Sequence, residues 1–115
     1  MPDIYQHKDQ EPSSDMAAIF AALGDDTRLV IVSKLQDGSD RSISNLTEGL
    51  SLTRQGVSRH LRVLEKARLV RRRRVGRETR YQLEAGALSR ARDYLARASS
   101  QWDHTIDRLA RHLET

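Results

Sequence analysis

The sequence contains no cysteine, which excludes disulfide bridges, thiolate metal sites and a cysteine nucleophile. Aromatic residues are few, with one tryptophan, three tyrosines and one phenylalanine in 115 residues. No apolar run approaches the roughly 20 residues of a membrane span. The first 15 residues also lack the apolar core of a secretory signal. These absences predict one small cytoplasmic domain that has no membrane contact.

Signatures of catalysis are missing as well. The sequence has no glycine-rich phosphate loop, no serine nucleophile elbow and no paired carboxylates suited to an active-site pocket. A chain of this length also offers little room for a cleft. We therefore predict that the protein is not an enzyme and uses no cofactor.

Basic residues are concentrated in one segment of the chain. Residues 53–83 hold ten arginines and one lysine against two glutamates, a net charge of +9, whereas the remainder has a net charge of −5. Seventeen of the twenty basic residues are arginine, the side chain best suited to phosphate and guanine. This imbalance indicates a surface that faces a polyanion, and a solvated charged face is the alternative.

Apolar periodicity divides the chain into helices and one hairpin. It is missing from residues 1–13, which we predict to be a mobile arm, and residues 14–115 are predicted to form one domain. Helices are predicted at about 14–23, 26–36, 42–49, 53–67 and 87–113. The second of these is apolar on most sides, which predicts a central position with neighbours all round.

A β-hairpin is predicted within residues 69–83. Two segments rich in β-branched or aromatic residues flank Gly76-Arg77-Glu78, a plausible hairpin turn. A short strand near Arg41 would pair with the hairpin, since an isolated hairpin is only marginally stable. The predicted fold class is mostly α (α+β): a winged helix-turn-helix with a two-stranded wing and a long C-terminal dimerisation helix.

The helix predicted at 53–67 has two chemically different faces. Val57, Leu61 and Leu64 share one face and would dock on the preceding helices. The opposite side presents groups that suit the base edges of a DNA major groove, namely Gln55, Ser58, Arg59, Arg62 and Lys66. Thr53 would cap this helix and touch a phosphate, and Arg54 would bind backbone phosphate.

Two further residues of this helix have open interpretations. Gly56 lies inside the helix, where glycine is unfavourable, and either serves a close approach or is simply tolerated. His60 is expected to pack with a local hydrogen bond rather than to contact DNA. In the wing, alternate residues of Arg71–Arg74 face opposite sides, so about half of them can face one partner. Arg73 and the turn residue Arg77 are the predicted DNA contacts.

Three segments of the chain resemble the ArsR/SmtB family of winged helix-turn-helix repressors. They are ALGDDTRLVIVSKL, LSLTRQGVSRHLRVLEKARLV and RRRRVGRETRYQL, and the resemblance spans residues 16–83. It implies a homodimer that blocks a promoter and places Gln55, Ser58 and Arg59 at base contacts. The chain is similar to a subgroup without metal-binding cysteines, because ISNL stands where metal sensors carry them. Arg68 replaces a frequent family glycine, so the turn after the recognition helix is expected to differ.

The last helix carries an apolar stripe with spacings of three and four residues. The stripe includes Leu88, Leu95, Ala98, Trp102, Ile106 and Leu109. Together with Met16, Ile19 and Phe20 of the first helix, it predicts a two-fold subunit interface. Packing within one chain is the alternative.

The combined prediction is a sequence-specific regulator of double-stranded DNA, a repressor that acts as a homodimer on a pseudo-palindromic operator. One alternative is a winged-helix protein-interaction module. Another is a metal-responsive repressor that uses histidines and aspartates of the last helix. His104 and His112 lie about 80° apart around that helix, a poor geometry for one chain, so no metal site is predicted. The sequence identifies neither an operator nor an inducer.

Overall fold

The computed structural model describes residues 14–114, and the predicted mobile arm at residues 1–13 lies outside them. Five helices and three strands follow in this order: α1 (Ser14–Leu23), α2 (Asp26–Lys34), β1 (Arg41–Ser42), α3 (Ile43–Thr47), α4 (Arg54–Lys66), β2 (Val70–Val75), β3 (Glu78–Leu83) and α5 (Ala85–Glu114). The fold is mostly helical with a small antiparallel sheet, which confirms the predicted fold class.

The sheet is a hairpin completed by a short third strand. Its order is β1-β3-β2, with Arg41 opposite Tyr81 in the β1–β3 pair. Val75 faces Glu78, so the hairpin loop is the two residues Gly76 and Arg77. Gly76 has a φ of 64°, a conformation that glycine adopts at little cost and that a tight hairpin loop requires. The predicted strand near Arg41 is thus confirmed.

The core lies where α1, α2, α3 and α4 meet the base of the sheet. Ile31, Leu46 and Leu64 are fully buried there. The prediction that α2 is covered all round is wrong: Leu29 and Val30 are 47% and 41% exposed. The reason is that α2 packs mainly on α1 and α4, and Leu29 and Val30 lie on a side that no other element among residues 14–114 covers.

Side-chain caps set the starts of three helices. Asp25 Oδ2 accepts from the Arg28 amide at 3.1 Å, Ser42 Oγ accepts from the Asn45 amide at 3.2 Å, and Thr53 Oγ1 accepts from the Gly56 amide at 3.0 Å. Each cap satisfies an amide that has no partner within its helix and contributes about 1 kcal/mol. The predicted cap at Thr53 is confirmed.

The turn after α4 differs from the expectation drawn from Arg68. Arg68 adopts a φ of 62°, so the left-handed turn is kept although the residue is not glycine. The Leu69 amide donates to the Leu64 carbonyl at 2.9 Å, and the Arg68 amide donates to the Glu65 carbonyl at 3.0 Å. This pair of bonds is a Schellman motif. Leu69 is fully buried, and its burial holds the turn against the strain at Arg68.

Replacing Arg68 with glycine is expected to stabilise the protein by about 1 kcal/mol, because a non-glycine residue in the left-handed region costs about 1–2 kcal/mol. Urea denaturation followed by circular dichroism measures the change. Arg62→Gly is the matched control, since it replaces another exposed arginine at a helical position and should destabilise by about 1 kcal/mol. Destabilisation by both substitutions would show that Arg68 is not strained.

The long helix α5 packs on the body through its first turns only. Ala87 and Ala91 are buried, and the rings of Phe20 and Tyr94 lie 5.6 Å apart, which joins α1 to α5. At 1.5 Å per residue the 30-residue helix is about 45 Å long, so most of it projects beyond the body. Within residues 14–114, no helix has both the length and the apolar content needed to span a membrane.

Candidate nucleic-acid interface

The two faces of α4 separate in the structure as their periodicity predicts. Val57, Leu61 and Leu64 are at most 1% exposed and face the core. Gln55, Arg59 and their neighbours on the other side are exposed. The helix is therefore anchored by its apolar side, and its polar side is directed to solvent. This arrangement can present hydrogen-bonding groups to an external partner.

The polar side of α4 makes no polar contact with the rest of residues 14–114. In the part of the chain that the structure describes, no hydrogen bond or ion pair engages these side chains: Arg54, Gln55, Ser58, Arg59, Arg62 and Lys66. We call this set the α4 polar face. Ser58 is half-buried at its edge and the other members are exposed. Four cations without a counterion among residues 14–114 make a surface that attracts anions.

Thr53 stands at the N-terminus of α4, next to the α4 polar face. Its hydroxyl accepts from the Gly56 amide, and the residue remains exposed. The first amides of a helix carry a partial positive charge, which favours phosphate nearby. A Cβ on Gly56 would lie 3.5 Å from Thr53 Oγ1, an ordinary contact, so the packing of this chain does not require glycine there.

His60 connects α4 to Arg28 of α2, and Arg28 in turn binds α1. Arg28 Nη1 lies 3.3 Å from His60 Nδ1 and donates to it when Nδ1 is unprotonated, while Arg28 Nε donates to the Ala22 carbonyl at 2.6 Å. The hydrogen bond from the Arg28 amide, aided by the Arg28 charge, lowers the pKa of the Asp25 carboxyl. The predicted role of His60 as a packed histidine with a local hydrogen bond agrees with this geometry.

The wing arginines differ in how many ion pairs and hydrogen bonds they make with the described part of the chain. Arg71 pairs with Glu84 at 3.3 Å, Arg72 with Glu65 at 3.3 Å and Arg73 with Asp40 at 2.8 Å. Arg74 Nε donates only to the Gly76 carbonyl, at 3.2 Å. Arg77, at the hairpin tip, is exposed and makes no ion pair with any residue from 14 to 114.

The α4 polar face and the wing are electrostatically joined. Arg72 of β2 forms an ion pair with Glu65 of α4. Arg62 and Arg72 both lie close enough to Tyr81 of β3 to affect the pKa of its hydroxyl. Burial raises the pKa of the Tyr81 hydroxyl, and these arginines oppose the rise. Arg62 of the helix and Arg72 of the wing therefore lie near the same edge of the sheet. Sequence reasoning missed the ion pairs on this surface, because it did not establish which side of the sheet each arginine occupies.

Replacing Asp40 with asparagine is expected to free Arg73 for phosphate and to steepen the dependence of DNA affinity on salt. One additional phosphate contact changes the slope of log K against log [salt] by about 0.9. Titrations of a labelled duplex at several salt concentrations measure the slope. Asp93→Asn is the control, because Asp93 pairs with Arg92 on α5, away from the wing. An unchanged slope for Asp40→Asn would show that Arg73 does not reach the DNA.

The residues predicted for a subunit interface fall into two groups. Met16 and Ile19 lie in the core of their own chain, 8% and 1% exposed, and Phe20 packs on Tyr94. This internal packing leaves little of the α1 stripe for a second subunit. On α5, Leu88 and Ala98 are half-buried. The remaining predicted positions are more than half exposed: Leu95, Trp102, Ile106 and Leu109.

Potential metal ligands do not converge in the described part of the chain. Between residues 14 and 114, no three histidine, aspartate or glutamate side chains are placed to hold one ion. His104 and His112 are exposed on α5.

Comparisons with known proteins agree with the geometry of this surface. A helix-turn-helix domain model matches residues 23–73. The HTH-type transcriptional regulator Rv2034 of Mycobacterium tuberculosis is 41% identical over 78 residues, which cover 68% of this chain and 72% of that protein. The Transcriptional repressor SmtB homolog of Synechocystis sp. is 36% identical over 64% of this chain and 54% of that protein.

Among solved structures, an ArsR-like transcriptional regulator from Rhodococcus sp. RHA1 superposes with a TM-score of 0.72. It is 34% identical, and the match covers 85% of this chain and 92% of that chain. The similarity therefore extends beyond the helix-turn-helix to nearly the whole of that regulator.

Proposed function

The chain belongs to the ArsR/SmtB family of winged helix-turn-helix transcriptional regulators, and on that basis we propose that it is a homodimeric repressor of a pseudo-palindromic operator. DNA binding follows from the family. One observation carries the detailed proposal: the α4 polar face presents four cations, an amide and a hydroxyl that have no partner in the described chain. Such a surface attracts a polyanion and concentrates it at the recognition helix.

We assign base reading to the N-terminal half of α4. In helix-turn-helix proteins the first residues of the recognition helix reach the base edges. Gln55, Ser58 and Arg59 occupy these turns. Glutamine pairs well with adenine, arginine pairs well with guanine, and serine can bind either base. These three are the proposed base contacts.

The remaining positive groups are assigned to the DNA backbone. Thr53 and Arg54 lie at the helix N-terminus, where phosphate is favoured. Arg62 and Lys66 lie in the later turns, further from the groove floor. Wing residues Arg73 and Arg77 would contact the flanking phosphates or minor groove.

We propose that the exposed stripe of α5 joins the two subunits. Trp102, Ile106 and Leu109 lie on one side of the projecting helix, and each is more than half exposed. A helix that projects with an uncovered apolar stripe is expected to pair, because burial of that surface is favourable. Two subunits joined in this way would present two recognition helices to half-sites about one helical turn apart.

Repression is the proposed outcome of operator binding. The Synechocystis relative is named a transcriptional repressor, and we assign the same outcome to this chain. The alternative of a winged-helix protein-interaction module is not favoured, because such a module has no need of unneutralised cations on its recognition helix. Residues 14–114 likewise contain no three-ligand metal cluster that would favour a metal-responsive mechanism.

Selection from a random duplex pool tests the proposed function. The protein is expected to enrich one pseudo-palindrome and to bind it roughly 10³-fold or more tightly than unrelated duplex at physiological salt. Mobility shifts at several salt concentrations measure both affinities. Binding without sequence preference, or no binding at low salt, would contradict the proposal, and the second result would favour a protein-interaction module.

A further inference from the structure

A cavity of about 460 Å³ lies at the junction of α2, β3 and α5, away from the α4 polar face. Small-molecule sites usually have volumes of roughly 300–1,000 Å³. Three leucines and Ala85 supply its apolar lining, and the polar side chains of the lining are Gln36, Ser89 and Arg92. Leu35 is fully buried, and Leu83 and Leu88 are half-buried. The cavity thus has an apolar interior and a more exposed polar side.

The charged side chain that lines this cavity is positive. Arg92 is the only charged residue among those that line it. Its Nη2 lies 3.3 Å from Ser89 Oγ and 3.5 Å from Asp93 Oδ1. Nη1 and Nε make no hydrogen bond within residues 14–114, so they remain available to a ligand. A guanidinium beside an apolar pocket fits a carboxylate that carries an apolar tail.

We propose that this cavity is a binding site for an amphipathic monocarboxylate, an aryl or alkyl acid of moderate size. The apolar part of the ligand lies against Leu83 and Leu88, above the buried Leu35, and the carboxylate pairs with Arg92. Burial of the tail supplies most of the affinity, and the ion pair supplies selectivity for anions.

The position of the cavity connects it to the wing. Gln82, the neighbour of Leu83 on β3, donates to the Gly38 carbonyl at 3.0 Å and accepts from Arg71 of β2 at 3.2 Å. Gly38 itself lines the cavity. A ligand there contacts the segment that holds the base of the wing, and it also contacts the first turns of α5. An effect on DNA binding rests on the proposed function, whereas ligand binding itself does not.

A second copy of the chain is the competing occupant. Leu88 lines the cavity and begins the α5 stripe, so an interface that extends this far would close the site. The experiment must therefore use the full chain at a concentration where it is dimeric. Binding is measured without DNA, so that its failure leaves the proposed function untouched.

The probe is 1-anilinonaphthalene-8-sulfonate, an aromatic anion that fluoresces when it enters an apolar site. The competing ligand is 4-phenylbutyrate, and its binding is measured as the loss of probe fluorescence. We expect 4-phenylbutyrate to displace the probe and 4-phenylbutylamine, which has the opposite charge, to do so at least ten times more weakly. Arg92→Gln should weaken 4-phenylbutyrate binding about tenfold. Arg97→Gln, a substitution of another exposed arginine on α5, is the matched control and should leave binding unchanged.

Ser89→Phe is designed to fill the cavity and should abolish displaceable fluorescence. Circular dichroism shows whether the variant is folded. If it is not, the Arg92→Gln variant and the comparison of 4-phenylbutyrate with 4-phenylbutylamine test the site instead. Equal displacement by the acid and the amine would overturn the proposal, since it would place the probe on the uncharged α5 stripe. No displaceable binding to the dimer would also overturn it and would indicate that the partner subunit covers the cavity.

Discussion

Replacing Ile106 with glutamate is expected to convert the dimer into monomers and to weaken operator binding at least about 100-fold, because linked half-sites add about 10²–10⁴ to affinity. Ile106 is 57% exposed in the single chain and lies on the α5 stripe beside Trp102 and Leu109. In a dimer the carboxylate would be buried between two apolar helices, where an unpaired charge is strongly unfavourable. Sedimentation equilibrium measures the mass, and mobility shifts measure the affinity.

Ser100→Glu is the matched control for this experiment. It adds the same charge to the same helix, but residue 100 is exposed and lies on the side opposite the stripe. The control is expected to remain dimeric and to bind DNA nearly as well as the original chain. If Ile106→Glu also remains dimeric, the interface lies elsewhere and the assignment of the α5 stripe is wrong.

Replacing Arg59 with alanine is expected to weaken binding to the preferred operator by about 1–3 kcal/mol, roughly 5- to 150-fold, and to relax base preference at one position of each half-site. Arg59 is exposed in the middle of α4 and makes no contact that holds it within the described chain. The substitution removes no buried group, so the stability of the fold should hardly change. Titrations against operators with each base at the relaxed position measure the effect.

Arg54→Ala provides the contrast to Arg59→Ala. Arg54 is exposed in the first turn of α4, where a phosphate contact is expected. Its loss should weaken every sequence to a similar extent and reduce the salt slope by about 0.9, without changing base preference. If Arg59→Ala behaves in this uniform way, Arg59 binds phosphate and the proposed base reading is wrong.

Local patterns in the sequence were sufficient for the elements and for the two faces of the recognition helix. A helix repeats every 3.6 residues, so the positions of Val57, Leu61 and Leu64 alone fix which side is apolar. Caps also depend on near neighbours, which is why the cap at Thr53 could be predicted from the sequence. The hairpin loop followed from Gly76, since a two-residue loop needs a residue that tolerates positive φ.

Contacts between distant parts of the chain were beyond the reach of the sequence. Arg73 and Asp40 are 33 residues apart, and nothing in the local pattern indicates that they pair. The covering of α2 was overestimated, because an apolar side chain such as Leu29 does not reveal whether a neighbour reaches it. The charge cluster predicted a basic surface, but the register of the sheet decides which arginines remain free.

The amino-acid sequence by itself determined the secondary structure, the basic surface and the family, because these depend on neighbours a few residues apart and on charge. Tertiary structure alone decided that Ile19 and Phe20 of α1 pack within their own chain, since that depends on where α5 lies. It also decided that Arg68 keeps a left-handed turn, because burial of Leu69 outweighs the local preference of arginine.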